Sequence, residues 1–117
     1  MLENKIRNEA FGEILYHPSE DRFTVSTKLN LNDIKNYELS APLTLHWMLT
    51  MKCNARCPYC YELPYLLKIN DKEEIMSKDN IKKFIKNFAD IGGFRLYLTG
   101  GEPTLSPLLP EIIETAY

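Results

Sequence analysis

All three cysteines of the chain, Cys53, Cys57 and Cys60, lie in one short segment, Cys53-Asn54-Ala55-Arg56-Cys57-Pro58-Tyr59-Cys60. An odd set of thiols cannot close completely as intramolecular disulfides, and clustered thiols point to metal or redox chemistry rather than to staples. The C-x3-C-x2-C spacing lets three thiolates from one loop converge on a single small cofactor. Full thiolate ligation of a four-iron cubane takes four cysteines, so three leave one iron open to a non-protein ligand. Zinc is an alternative, but structural zinc sites are usually closed by four ligands, and His46 is the candidate for the fourth. An iron–sulfur electron-transfer module is a third reading. His46 itself reads as a strand residue and His17 as a turn residue.

The 117 residues suffice for one small domain, and the 44% hydrophobic and 26% charged fractions are those of a globular protein. A net charge of −2 argues against a dominant electrostatic grip on nucleic acid and leaves room for a local basic patch. No apolar run is long enough for a membrane helix, and the start, Met1-Leu2-Glu3-Asn4-Lys5-Ile6-Arg7, lacks the apolar stretch of a secretory signal. A cytoplasmic location is expected.

The chain divides near Ser40-Ala41-Pro42, giving residues 1–42 as an N-terminal extension and 43–117 as the start of a core domain. In the first part, Gly12–Tyr16 and Arg22–Ser26 are strand-like and flank the turn formers His17–Asp21, which predicts a β-hairpin. In the second, Leu43–Leu49 reads as a buried strand. The cysteine segment follows at once, then a mixed stretch from Tyr61 to Met76 with a possible helical start. Ser77 is a good N-cap, and Ile81, Phe84, Ile85 and Phe88 form one apolar stripe. Lys82, Lys83 and Lys86 fall off that stripe and read as a solvated face. Gly92-Gly93 ends the helix. Phe94–Thr99 is a further strand, Gly100-Gly101-Glu102-Pro103 breaks it, and a last helix is expected from about Pro107 or Pro110. Trp47 and Tyr97 read as core. The order βαβα is that of a parallel sheet, whose working loops lie beyond the C-terminal strand ends. The cysteine and glycine loops both follow a strand, so neighbouring strands would bring them to one site.

The cysteine segment, with Tyr59 before its last cysteine, resembles the signature of the radical S-adenosylmethionine superfamily. Thr99-Gly100-Gly101-Glu102-Pro103-Thr104-Leu105 resembles that family's second motif. The resemblance covers about residues 43–117. It implies that Cys53, Cys57 and Cys60 ligate three irons of a [4Fe–4S] cluster whose fourth iron binds S-adenosylmethionine. It further implies that Gly100, Gly101 and Glu102 contact the methionyl amino group, that Tyr59 lies by the adenine and that Pro103 stiffens the turn. The implied fold is an α/β one, the N-terminal βαβα portion of a partial (β/α)6 TIM-like barrel, preceded by the hairpin-like segment. The implied activity is reductive cleavage of S-adenosylmethionine to a 5′-deoxyadenosyl radical. The electron would come from an external donor such as a flavodoxin or ferredoxin. About two of six βα units are present, so the chain is expected to be part of a longer protein. Cys60-Tyr61-Glu62 and the N-terminal hairpin are similar to those of SPASM-type peptide maturases, which implies a peptide or protein substrate.

Overall fold

The computed structural model describes residues 3–66 and 76–117. The first part is a three-stranded antiparallel sheet of β1 (Lys5–Glu9), β2 (Gly12–His17) and β3 (Arg22–Ser26), in that spatial order. The two strand-like runs pair as a hairpin, with Ile14 opposite Val25 and Tyr16 opposite Phe23. The hairpin read from sequence is one strand short. The residues of β1, Lys5-Ile6-Arg7-Asn8-Glu9, are mostly polar and carry no apolar period, so only pairing with β2 reveals the strand. A single helical turn, α1 (Leu31–Ile34), follows, capped by the side chain of Asn30.

Arg7 ties this sheet to the rest of the chain. Its buried guanidinium donates to the carbonyls of Ala41 and Gly92, each at 2.8 Å. It also pairs with Glu9 at 2.6 Å. Glu9 in turn accepts from the backbone N–H and hydroxyl of Ser40, each at 3.0 Å. The segment around residues 40–42 is thus pinned on both sides. Burial pushes the Glu9 carboxyl up, but the Ser40 hydrogen bonds and the Arg7 charge outweigh it and hold it below its ordinary value.

The second part alternates strand and helix: β4 (Thr44–Met48), the short α2 (Leu63–Leu66), α3 (Lys78–Asp90), β5 (Arg95–Thr99) and α4 (Leu109–Ala116). The possible helical start after Tyr61 corresponds to α2, and the rest of that mixed stretch, 67–75, lies outside the described residues. β4 and β5 pair in parallel, Leu45 beside Leu96 and Trp47 beside Leu98. Ser77 accepts from the Asn80 N–H at the start of α3. At its end Gly92 adopts φ +84°, with Gly92 N–H donating to Ala89 and Gly93 N–H to Phe88. This is a Schellman motif, which glycine permits.

Ile81 and Ile85 of α3 and Ile112 of α4 form the core, against Trp47, Leu49, Leu96, Leu98 and Leu108. The helices therefore cover one face of the β4–β5 sheet. The opposite face, carrying His46, Met48, Tyr97 and Thr99, is exposed. Leu43–Leu49 is thus a half-buried strand rather than a fully buried one, and Tyr97 is not a core residue. The alternation was partly present in the residues, since Thr44 and His46 interrupt the apolar ones, while Trp47-Met48-Leu49 is continuously apolar. Phe84 marks the edge of the α3 stripe and is partly exposed, meeting Trp47 edge-on at 4.8 Å. Lys82 is not merely solvated: it and Lys78 each pair with Glu111 of α4 at 2.9 Å, holding the two helices together.

Two outcomes follow from this packing. Ile81 is fully buried, so Ile81→Ala should cost about 2–5 kcal/mol in chemical denaturation. Glu9 has a folded pKa below its ordinary 4.5, so its contribution to stability is present above that value and is lost as pH falls through the folded pKa. Glu9→Gln should therefore flatten the acid limb of a pH–stability profile.

Candidate cofactor site

Beyond the paired strands, the backbone ladder continues into both loops. The Leu49 N–H donates to Thr99 at 2.8 Å, Gly101 to Thr50 at 2.7 Å and Glu102 to Lys52 at 2.7 Å. The loop after β5 is therefore bound to the loop after β4 up to the residue that precedes Cys53. This contact requires glycine. A Cβ on Gly100 would lie 2.3 Å from the Thr50 carbonyl oxygen, and its φ of +144° is rarely open to other residues. A Cβ on Gly101 would lie 2.3 Å from the Lys52 carbonyl oxygen. From sequence, these glycines let backbone approach a ligand; the nearest thing they approach is the neighbouring loop.

Within the cysteine loop, the Cys60 N–H donates to the Cys57 carbonyl at 3.0 Å. That closes a β-turn with Pro58 at its second position, where the fixed φ of proline is favoured. The turn places Cys57 and Cys60 at its two ends. The three thiols are free and partly buried. The Cys53 thiol donates to the Ala55 carbonyl at 3.5 Å. Tyr59 stands at the tip of the turn, 86% exposed. The neighbouring Cys57 thiol pushes its phenol pKa up.

The side chain of Glu102 accepts from the Thr104 hydroxyl at 2.7 Å and from the Thr104 N–H at 3.1 Å. These bonds lower its pKa, so it is a carboxylate at neutral pH. Pro103 opens a 3-10 turn, Pro103–Leu105, that the sequence reading does not anticipate. Two buried hydroxyl residues also escape it. Thr50 accepts from the Lys52 N–H at 3.0 Å and shapes the approach to Cys53. Ser106 accepts from the Leu108 N–H at 3.3 Å and turns the chain toward α4. The only signal for either is a hydroxyl two residues ahead of a backbone N–H it can bond, a pattern too common to single them out.

The donor chemistry suits an iron–sulfur cluster. Among the described residues no three His, Cys, Asp or Glu side chains converge as the ligands of one ion would. Three thiols on one loop are the donor type that an iron–sulfur cluster takes. His46, the candidate fourth zinc ligand, stacks on Tyr97 at 4.8 Å on the open sheet face.

The parallel pair β4–β5 thus carries the three-thiol loop and the glycine loop at one end, the end at which ligands bind in open α/β sheets. Residues 47–116 match the model of the radical SAM superfamily. The chain belongs to that superfamily, whose enzymes use a [4Fe–4S] cluster and S-adenosylmethionine. A GTP 3′,8-cyclase of Tolumonas auensis is 38% identical over 71 residues, 61% of this chain and 20% of that protein. The corresponding protein of Aquifex aeolicus is 37% identical over 78 residues, 66% of this chain and 24% of that protein. A probable GTP 3′,8-cyclase of Methanococcus maripaludis is 34% identical over 82 residues, 70% of this chain and 24% of that protein. The chain thus spans between a fifth and a quarter of the length of these relatives. Their names concern a nucleotide, so the peptide-maturase expectation finds no support in them. No solved structure matches the chain significantly. Among the described residues no helix is long and apolar enough to cross a membrane.

The loop contact predicts a specific sensitivity. Gly101→Ala should force the two loops apart and lower the iron retained after anaerobic reconstitution, while far-UV circular dichroism stays close to that of the wild type.

Proposed function

We propose that the protein is a radical enzyme in which Cys53, Cys57 and Cys60 hold a [4Fe–4S] cluster and the Gly100–Pro103 loop holds S-adenosylmethionine against it. The observation that carries this reading is the pair of hydrogen bonds from Gly101 and Glu102 to the Thr50 and Lys52 carbonyls, which set the two loops side by side. When bound and reduced, the cluster supplies one electron that breaks a carbon–sulfur bond of S-adenosylmethionine, giving methionine and a 5′-deoxyadenosyl radical. The chain's own residues bind and orient. Three thiolates leave one iron for the methionyl amino and carboxylate groups. The Glu102 carboxylate, held anionic by Thr104, and the glycine carbonyls suit the ammonium group. Pro103 starts the turn that keeps Glu102 in place, and Tyr59 lies by the adenine. The exposed face of the β4–β5 sheet is the side that a (β/α)6 barrel would enclose, with residues 1–42 as an extension outside it.

The relatives' names make GTP the first substrate to try. A peptide is the second reading, favoured by Tyr61-Glu62 after Cys60 and by the antiparallel sheet ahead of the core. An external low-potential donor, such as flavodoxin or ferredoxin, supplies the electron, and a reducing cytoplasm is the compartment that suits three free thiols.

Anaerobic reconstitution of the full-length protein with iron and sulfide tests this. The expected product is brown, shows an EPR signal that changes on adding S-adenosylmethionine, and forms 5′-deoxyadenosine with dithionite. Cys53→Ala, Cys57→Ala or Cys60→Ala should each reduce that product to background. A colourless protein carrying stoichiometric zinc would refute the assignment. Consumption of GTP, or modification of a peptide in its place, decides between the two substrate readings.

A further inference from the structure

The open face of the β4–β5 sheet leads from the start of both strands up to the two cofactor loops. Alternate residues of a strand share a face, so its side chains stand in three paired rungs: Thr44 beside Arg95, His46 beside Tyr97 and Met48 beside Thr99. Arg95 is the one Lys or Arg among them. Lys52 and Arg56 lie on the cysteine loop beyond the rungs. Lys78, Lys82 and Lys86 are paired with carboxylates on the helices. The N-terminal sheet occupies Arg95. Its Nη1 donates to a carboxylate oxygen of Asp21, from the β2–β3 turn, at 2.5 Å, and its Nε is buried. The guanidinium carbon lies 4.6 Å from the centre of the Tyr97 ring and 5.0 Å from that of Phe23. Tyr97 donates its hydroxyl to the second oxygen of Asp21 at 3.2 Å, and its ring meets His46 at 4.8 Å. One carboxylate from outside this sheet thus neutralises the arginine of the wall and fixes the tyrosine of its middle rung.

This pairing bears on which substrate the wall can take. A polyphosphate laid on it would meet no unpaired Lys or Arg side chain among the three rungs, and would face the Asp21 carboxylate instead. Stripping an anion of water without a counter-charge is strongly disfavoured, and like charges brought together suppress a wrong partner. The side chains left open to a ligand are the His46 imidazole, the Met48 thioether and the Thr99 hydroxyl, all exposed. We propose that Asp21 is a specificity-determining residue: by occupying Arg95 it bars phosphate-bearing substrates from the wall beneath the cofactor loops and reserves that wall for a substrate without phosphate groups. This rests on the radical-enzyme reading above and decides between its substrates, against the GTP of the relatives' names. Asp21 belongs to neither the cysteine loop nor the glycine loop, so it can be altered without touching the cofactor ligands.

The test uses the full-length reconstituted protein with S-adenosylmethionine bound and GTP as the probe, with binding measured by calorimetry at low and high salt. The wild type should bind GTP no more tightly than about 1 mM. Asp21→Asn keeps the shape of the side chain and tolerates the φ of +47° at this position, so it is expected to fold. It should bind GTP at least about tenfold more tightly than the wild type, with an affinity that falls as salt rises. The D21N/R95Q double variant should lose that gain, which ties it to the released guanidinium. Wild-type binding of GTP tighter than the stated limit overturns the proposal, as does a D21N variant that binds no better than the wild type or a gain that survives in D21N/R95Q. If circular dichroism shows D21N to be unfolded, Asp21→Ser takes its place in the same measurement. A wild-type protein without an iron–sulfur spectrum, or with an EPR signal blind to S-adenosylmethionine, sinks the radical-enzyme reading instead, which keeps the two failures distinct.

Discussion

The candidate site depends on one stretch of backbone hydrogen bonding. Three N–H groups, from Leu49, Gly101 and Glu102, cross between the segments that leave β4 and β5. Strand pairing ordinarily stops where loops begin; here it runs on to the residue before Cys53. The continuation is possible only because two successive residues lack a Cβ, since either one would drive a methyl group into a carbonyl oxygen. The cysteine loop thereby inherits the rigidity of the sheet. A site that must hold several metal atoms in fixed relation gains from this, because ligands mounted on extensions of ordered strands are placed more reproducibly than ligands on free loops.

The N-terminal sheet is anchored to the same unit from the other end of β5. Asp21, at the tip of the β2–β3 turn with φ +47°, accepts from Arg95 at 2.5 Å, from Tyr16 at 2.9 Å and from Tyr97 at 3.2 Å. The hydrogen bonds from Arg95 and Tyr16 lower the pKa of the Asp21 carboxyl. The Arg95 guanidinium also lies over the Phe23 and Tyr97 rings at 5.0 and 4.6 Å. Together with the Arg7 bonds to Ala41 and Gly92, this fastens the extension at both the beginning of β5 and the end of α3. The extension and the core share a polar and aromatic contact, not merely a connecting peptide.

Several elements were legible in the residues because their causes are local. The Ser77 cap, the i, i+3, i+4, i+7 stripe of α3 and its glycine stop sit within one short window, and the helix follows them closely. The hairpin turn at His17–Asp21 is local in the same sense. β1 was not legible, because a charged edge strand is stabilised by its partner and by Arg7 rather than by its own pattern. The pairing of Lys78 and Lys82 with Glu111 joins residues far apart in sequence, and no charge pattern along α3 foretells it. The 3-10 turn after Pro103 depends on where Glu102 and Thr104 meet, which propensity alone does not decide.

The three cysteines by themselves point to metal or redox chemistry, because thiol number and spacing are properties of the covalent chain. Their likeness to a family, together with the glycine loop, named the cofactor chemistry. Only the tertiary structure decided that the two motifs meet, through bonds between residues some fifty positions apart, such as Gly101 and Thr50. It also assigned the glycines a second task, since a Cβ is excluded there by the other loop. Proximity across a sheet is a three-dimensional fact, and no local pattern encodes it.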